Sequence, residues 1–204
     1  MILYELTQNE AHPAYEELAI SNGERQHGFL NSVILAALSL NKTFLSQDVL
    51  RALNFQAIGC LHINAGTYRP CPVSVGTHIP PEHYRVPALM DDFVNEVNRN
   101  WESQDAVVLS SYVLWRLNYI HPFINGNGRT ARTAAYFVLC LKAGGLIKGS
   151  PILPELLAQN RPAYVAALQA VDSSLPSGVL KLDPLHALMS GLIQQQIASG
   201  APAR

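Results

Sequence analysis

The sequence predicts an all-α fold, and three observations support this class. Residues 105–120 carry apolar side chains at the spacing of a largely buried helix. Helix start and stop signals flank other apolar runs, such as the Ser46 cap before one run and the Gly144-Gly145 pair after another. Hydrophobic residues make up 49% of the chain and charged residues only 14%, which indicates much buried helix.

Helical periodicity and these boundary signals predict eight helices. Prolines and glycines punctuate the rest of the chain: Pro80-Pro81 precedes one helix, and Gly149-Ser150-Pro151 and Pro176-Ser177-Gly178 mark later loops. Residues 200–204 are expected to be frayed. The predicted helices lie near residues 12–22, 27–40, 46–63, 85–99, 105–120, 128–143, 160–172 and 184–198.

Charge and cysteine content narrow the classes of function. A net charge of −1 argues against nucleic-acid binding, which needs clustered positive charge. Cys60 and Cys140 lie in apolar helical stretches and are expected to be buried free thiols, while Cys71 completes an odd, widely spaced set without a zinc pattern. The absence of a disulfide framework, a secretory signal and a membrane-spanning run predicts a cytoplasmic protein, although secretion by another route stays compatible with the sequence.

The stretch 121–132, HPFINGNGRTAR, is the most informative part of the chain. His121-Pro122 ends the preceding helix, because proline disfavours helical geometry in the residue before it. Gly126-Asn127-Gly128 then allows a tight turn with uncovered backbone N–H groups. The next helix starts there, and its free N–H groups and positive dipole end favour an anion.

Two arginines and the histidine give this corner its chemistry. Arg129 and Arg132 are three residues apart, so they share a helix face, and helical side chains lean toward the N-terminus and the anion. Guanidinium groups suit phosphate oxygens well. A neutral His121 imidazole can accept a proton near neutral pH. The pattern predicts a pocket for a phosphorylated ligand beside a general base that deprotonates an attacking hydroxyl.

Residues 121–132 resemble the signature of Fic-domain proteins, H-P-F-x-(D/E)-G-N-G-R-x-x-R, and eleven of the twelve positions are compatible. Fic proteins transfer part of a nucleotide, most often AMP from ATP, onto a Ser, Thr or Tyr hydroxyl of a target protein. The resemblance implies a Fic-type helical bundle with a short β-hairpin flap. It further implies a single Fic-like domain over residues 1–204, with a core at roughly 27–172 and helical extensions at 1–26 and 173–204.

The same resemblance implies roles for single residues of the motif. His121 would be the general base, and Phe123 would be a buried anchor of the loop. Gly126-Asn127-Gly128 would form the phosphate cradle, and Arg129 and Arg132 would hold the outer phosphates of the nucleoside triphosphate.

Asn125 departs from the pattern, because the family normally has an Asp or Glu there that binds Mg²⁺. An asparagine carbonyl can ligate a hard cation, but it lacks the negative charge that such sites usually use. Three interpretations follow. Metal binds weakly and mainly through the phosphates, with reduced activity; the protein uses a different donor or donor orientation; or it is a nucleotide-binding regulatory module with little or no turnover. We favour reduced or altered catalysis, because every other motif position is intact.

Two further segments extend the resemblance. Residues 55–76 resemble the Fic helix that leads into the flap, whose strand alternation would lie at Val73-Ser74-Val75. In the family this flap pairs edge-on with an extended target segment, whereas the alternative is an ordinary exposed hairpin. Tyr164, in the segment after Asn160, would line the base end of the nucleotide and stack on a purine, or else be a half-buried helix aromatic.

Regulation is the least determined property of this sequence. Many Fic proteins carry a self-inhibitory glutamate, and Glu24 lies in the nearest fragment, whose spacing is one residue too short. The alternatives are a separate inhibitory protein and the weak metal site itself.

Two histidines outside the motif are assigned no catalytic role. His62 is expected to be a packed histidine on the helix at 46–63, and His78 to be exposed in a loop. The target protein, the nucleotide base and the oligomeric state are left open.

Overall fold

The computed structural model describes residues 2–200, and it confirms the all-α class. No helix in this range is both long and apolar enough to cross a membrane. The short helices at 3–7 and 153–159 carry too few turns for a periodic pattern, so the sequence does not predict them. The helices are α1 Leu3–Thr7, α2 Pro13–Ser39, α3 Gln47–Ile58, α4 Val86–Arg99, α5 Ala106–Ile120, α6 Asn127–Ala143, α7 Leu153–Gln159, α8 Arg161–Asp172 and α9 Asp183–Ser199, with 3₁₀ helices at His83–Arg85 and Leu175–Ser177.

Helix α6 lies at the centre of the bundle, packed against α5, α3, α2 and α7. Every side chain from Thr133 to Leu141 is buried, so this part of the helix has no solvent face. The six-residue connection from α5 to α6 is short, which makes the two helices antiparallel neighbours. The motif loop is therefore held between two of the most deeply embedded helices.

The prediction of two helices at 12–22 and 27–40 is wrong, since the structure has the single helix α2. Isolated glycines at 23 and 28 do not end it, because a lone glycine weakens a helix without breaking it. Buried amides at the two sides of the expected gap also tie it to α3 and its C-cap: Asn22 donates to the Gly59 carbonyl at 3.0 Å, and Gln26 donates to the Leu53 carbonyl at 2.9 Å. The expected limit between an N-terminal extension and the core, at residues 26 and 27, falls inside this helix.

The helix predicted at 46–63 ends earlier, at Ile58. Cys60 follows in a left-handed turn, with φ at +64°, and it is exposed rather than buried as predicted. The carbonyls of Cys60 and Leu61 accept hydrogen bonds from Leu3 N and Tyr4 N at 2.9 and 3.0 Å. The N-terminal segment therefore packs on the turn after α3. Cys140, by contrast, is buried as predicted.

The prediction of a β-hairpin flap is wrong in one respect, because the described residues between α3 and α4 form no pair of strands. Between α3 and α4 the described backbone forms one isolated bridge, in which Val75 N and His78 N donate to each other's carbonyls at 3.4 and 2.9 Å. Pro70 and Pro72 supply no N–H groups to a ladder in this segment. Residues 73–75 are therefore loop, with Val75 exposed at its tip.

Helix α9 closes the bundle against α5, α7 and α8. Its buried Gln196 accepts from Leu153 N at 2.8 Å and donates to the Ile147 carbonyl at 2.9 Å and the Tyr136 hydroxyl at 3.0 Å. Gly149 passes so close that a Cβ there would lie 1.7 Å from the Gln196 carbonyl. The fraying expected at residues 200–204 falls, beyond Gly200, outside the described residues.

Replacing Gln196 by leucine should destabilise the bundle, because it leaves the buried Leu153 N–H without a partner and the Ile147 carbonyl with only the Tyr136 hydroxyl, at 3.3 Å. Each unpaired buried group costs about 1–3 kcal/mol. We expect Gln196→Leu to lower the free energy of unfolding in urea by about 2–4 kcal/mol and Tm by about 5–15 °C. Gln195→Leu, at an exposed neighbouring position, is the matched control and should change stability by less than about 0.5 kcal/mol. Equal losses in the two variants would contradict the role of the buried amide.

Candidate functional site

His121 ends α5 in the left-handed conformation, with φ at +51°, and its N–H donates to the Leu117 carbonyl at 3.0 Å. Arg69 fixes this corner from the loop before α4. Its side chain is only 3% exposed, and its Nε donates to the His121 carbonyl at 2.8 Å, while its other nitrogens donate to the carbonyls of Cys71 and Pro81. The sequence gives no sign of this role, because an arginine that binds only carbonyls needs no acidic partner in a recognisable pattern.

The His121 ring is set up as a neutral acceptor. Its Nδ1 lies 3.4 Å from the Asn118 carbonyl, which can accept only from a protonated nitrogen, so Nε2 is left with the free lone pair. Burial lowers the pKa of His121 to about 4, against the opposing effect of the Asn118 carbonyl, and the charges of His78 and Arg69 lower it further. The imidazole is therefore in its basic form throughout the neutral pH range.

The motif loop is anchored by buried side chains. Phe123 is fully buried, as the resemblance implies. The Asn127 amide accepts from Phe123 N at 2.9 Å and donates to the Phe123 carbonyl at 2.8 Å, so it holds the loop rather than facing a ligand. Gly126 has φ at +76°, and a Cβ there would lie 2.7 Å from Ile58 Cγ2. Only glycine fits at this position.

Asn54 of α3 joins the loop to the rest of the bundle. Its fully buried amide donates to the Asn125 carbonyl at 2.9 Å and to Thr130 Oγ1 at 3.2 Å, and its Oδ1 accepts from Gly66 N at 3.0 Å. Sequence reasoning misses this residue, since it lies 71 positions from its partner in the motif.

Arg132 folds back over the first turn of α6, as its position predicts. Its Nη1 would lie 3.3 Å from a Cβ placed on Gly128. Its Nε is buried and has no hydrogen-bond partner within residues 2–200. Burial lowers the pKa of Arg132; Tyr164 acts in the opposite direction, and Arg129 and Arg161 lower the pKa further. No carboxylate is among these neighbours, so the positive charge of Arg132 has no counter-charge beside it.

Arg129 is held differently from Arg132, although they share a helix. Its Nη1 donates to the Ala57 carbonyl at 2.9 Å, and its Nη2 lies 3.4 Å from Asn125 Oδ1. Burial lowers the pKa of Arg129, and the nearby Tyr15 and Glu10 counteract this. The guanidinium is thus fixed at the end of α3, beside the motif loop.

Two adjoining cavities meet at His121. The loop cavity, of about 360 Å³, is lined by the motif residues Ile124 to Arg129 and by Val73–Val75. The long cavity, of about 790 Å³, lies between α5, α8 and the segment 75–79. The residues that line both cavities are Val75, His121, Gly128, Arg132 and Arg161.

Tyr164 and Arg161 bring α8 to this junction. Tyr164 is buried in the wall of the long cavity, and its hydroxyl accepts from Asn118 Nδ2 at 2.7 Å. Burial raises the pKa of Tyr164 to about 12. Arg161 is exposed and lines both cavities. Sequence reasoning does not assign Arg161 to the site, although it lies in the segment that predicts Tyr164.

Asn125 is the position at which a metal ion would be held. Its Nδ2 donates to Glu10 Oε1 at 3.0 Å, and its Oδ1 accepts from Gly126 N at 2.6 Å. Within the described part of the chain no three His, Cys, Asp or Glu side chains gather as a metal site. Beside the motif loop, the described residues offer a divalent cation the Asn125 carbonyl and the Glu10 carboxylate. This donor set fits Mg²⁺ that takes its other ligands from phosphates and water.

Three residues named in the sequence analysis, His62, His78 and Glu24, lie outside the motif. His62 is buried as expected, but it lies in the turn after α3, 2.7 Å from the Tyr15 hydroxyl and 3.3 Å from Glu10 Oε1. His78 is half-buried rather than exposed, and its Nε2 lies 2.9 Å from the Tyr119 carbonyl in the wall of the long cavity. Glu24 is exposed on α2 and lines neither cavity.

Known proteins with similar sequences carry the same domain. The Fic/DOC family model matches residues 44–139. The "Protein adenylyltransferase Fic" of Drosophila persimilis is 39% identical over 71 residues, which are 34% of this chain and 14% of that protein. The protein of the same name from Nematostella vectensis is 30% identical over 122 residues, which are 57% of this chain and 26% of that protein. The chain thus spans about a quarter or less of these relatives.

Solved structures show the same fold. A Fic domain containing signaling protein from Bacteroides thetaiotaomicron superposes with a TM-score of 0.71 at 20% identity, over 96% of this chain and 76% of that chain. Fic-1 from C. elegans superposes with a TM-score of 0.67 at 22% identity, over 88% of this chain and 50% of that chain. The sequence match, the fold and the intact histidine, turn and arginines agree: residues 44–139 of this chain form a Fic/DOC domain.

Proposed function

We propose that this protein transfers AMP, or a related nucleotide-derived phosphate group, from a nucleoside triphosphate to a Ser, Thr or Tyr hydroxyl of a target protein. One observation carries the proposal: the neutral His121 lies where an anion-binding corner meets a cavity large enough for a nucleoside. The names of the Drosophila and Nematostella relatives support the same activity.

The anion-binding corner would receive the phosphates. The first turn of α6 presents N–H groups that no carbonyl of its own helix can satisfy. Arg132 lies over this turn with an unpartnered Nε, and Arg129 lies beside the loop. Because these donors are already in place, they would stabilise charge on the phosphates without reorganising.

His121 would act on the attacking hydroxyl. Its Nε2 takes the hydroxyl proton as the target oxygen bonds to the α-phosphorus, and the bond from that phosphorus to the β-phosphate oxygen breaks. Pyrophosphate then leaves with its negative charge held by Arg132 and the α6 N-terminus. Bound Mg²⁺ would neutralise phosphate charge; Asn125 and Glu10 are the residues placed to hold it.

The target segment would dock on residues 73–75. Val73, Ser74 and Val75 line the loop cavity beside His121, so an extended peptide along them brings its hydroxyl to the imidazole. Val75 pairs with His78, but the backbone groups of Val73 and Ser74 form no hydrogen bond within the described residues and are free to pair with a peptide.

One observation favours a second candidate, a nucleotide-binding regulatory module with little turnover. The Asn125 amide is engaged by Glu10 and Arg129 and adds no charge to a metal site. A protein of this kind would bind the nucleoside triphosphate without transferring label.

Labelling with ATP that carries the label on its α-phosphate separates the candidates. We expect covalent label on protein with the native chain, and a loss of about 10²–10⁴-fold in His121→Ala, because general-base catalysis contributes that much. ATP affinity measured by calorimetry should change little in this variant. His27→Ala, an exposed histidine on α2, is the control and should label normally.

Binding without label in the native chain would instead support the regulatory module. If the chain takes up no nucleoside triphosphate at millimolar concentration, with or without divalent ions, both candidates are wrong.

The pH dependence should show a base whose pKa depends on bound phosphate. The imidazole works only when neutral, so rates fall as acid protonates it. The pKa of His121 is about 4 in the free protein, so kcat/KM should be flat between about pH 6 and 8 as far as this residue is concerned. A bound triphosphate favours the imidazolium and raises the pKa, so the acid limb of kcat should lie at higher pH than that of kcat/KM. NMR titration of His121 with and without nucleotide checks this, and a free-protein pKa near 6.5 would contradict it.

Exchanging Asn125 for aspartate tests the metal site. If the neutral amide limits Mg²⁺ binding, Asn125→Asp should lower the Mg²⁺ concentration needed for half-maximal labelling several-fold. The new carboxylate would face Glu10 Oε1, now 3.0 Å from the amide nitrogen, and the two carboxylates would hold the cation together, so adding Glu10→Gln should reduce the gain. Glu10→Gln alone is the control. No gain from Asn125→Asp, either alone or combined with Glu10→Gln, would rule out metal binding as the limiting step.

A further inference from the structure

The long cavity has two chemically different ends, and the far end has no role in the function proposed above. Helix α8 forms one wall, with Arg161, Tyr164, Leu168 and Asp172 facing the cavity at intervals of three or four residues. The eleven-residue separation of Arg161 and Asp172 corresponds to about 16 Å along a helix axis. The end at Arg161 adjoins the cationic corner, and the end at Asp172 is acidic.

The Asp172 carboxylate is held in place by one of its oxygens, and its other oxygen is available to a ligand. Its Oδ1 accepts from the indole Nε1 of Trp115 at 2.8 Å, and that indole is almost fully buried in α5. Its Oδ2 has no hydrogen-bond partner, and the carboxylate forms no ion pair, in the part of the chain that the structure describes. Among the described residues that line the long cavity, Asp172 is the sole acid. An ionised carboxylate accepts hydrogen bonds and donates none, so a ligand that reaches it must offer a donor.

We infer that Asp172 determines base specificity, by accepting a hydrogen bond from the exocyclic amine of the nucleobase at the end of the long cavity. This inference rests on the proposed function, because it places the triphosphate at the arginine end. A base with that amine, such as adenine or cytosine, presents N–H to Oδ2. A base with a carbonyl at the same place, such as hypoxanthine or uracil, presents an oxygen that the carboxylate repels.

Two matched pairs of nucleotides test the preference. ATP and ITP exchange an amine for a carbonyl on the purine, and CTP and UTP do the same on the pyrimidine. A hydrogen bond to a charged group contributes enough for roughly tenfold or greater discrimination. Calorimetry on the native chain should therefore show ATP bound about tenfold more tightly than ITP, and CTP more tightly than UTP.

Asp172→Asn should reverse the preference rather than only weaken it. The Trp115 indole is a donor only, so it will keep the amide oxygen of the new side chain at the Oδ1 position. The amide nitrogen then takes the position of Oδ2 and offers a donor to the base. In this variant ITP should bind more tightly than ATP, and UTP more tightly than CTP. Asp92→Asn, which removes the same charge from an exposed site on α4, should keep the native order.

The outcomes separate this inference from the proposed function. Nucleotide binding with the same affinity for both members of each pair, or an order that Asp172→Asn leaves unchanged, overturns the role of Asp172 while the transfer activity stands. An equal loss of affinity for ATP and ITP in the variant would show that Asp172 contacts the sugar, which also overturns the inference. If no nucleotide binds to the native chain, the proposed function fails and this inference fails with it.

Discussion

The half-buried guanidinium of Arg132, whose Nε is buried without a hydrogen-bond partner within residues 2–200, is the constraint on which the site depends. Removing a cation from water is costly unless a counter-charge accompanies it. Here the described neighbours include a tyrosine and two further arginines, but no carboxylate. The fold maintains this unfavourable arrangement because α6 is packed against α5, α3, α2 and α7 and its side chains from Thr133 to Leu141 are all buried, which fixes the position of its first turn. A bound anion would relieve the repulsion, which is the physical basis of the phosphate site proposed here.

The same packing makes the motif loop rigid. Three polar side chains from separate parts of the chain hold its backbone: Asn54 from α3, Arg69 from the loop before α4, and Asn127 from the loop's own end. All three are buried and satisfied by backbone groups rather than by one another. A histidine placed on such a frame needs little adjustment before it meets a substrate, which is the condition for efficient general-base catalysis.

Local chemistry could be predicted from this sequence, and long-range contacts could not. The end of α5 at His121, the turn at Gly126 and the backward lean of Arg132 follow from rules that act within a few residues, and the structure agrees with each. The predicted limits of α2 and α3 are wrong where tertiary contacts override local signals. In α2, for example, the hydrogen bonds of the Asn22 and Gln26 amides stabilise the helix across its glycines. The flap expected from the resemblance lacks strands because the local prolines leave its backbone without a regular ladder. The contacts of Asn54 and Arg69 with the motif join residues that are distant in sequence, and no spacing in the sequence marks them.

The contact between Glu10 and Asn125 joins the start of the chain to the motif. Residues 3 and 4 hydrogen-bond to the turn after α3, and Glu10 reaches from there to the amide beside the anion corner. Because Glu10 lies on this segment, a shift of residues 3–10 would also move its carboxylate relative to Asn125 and change the electrostatic potential beside the motif loop. The position of α1 and the charge next to the motif are thus linked through one hydrogen bond.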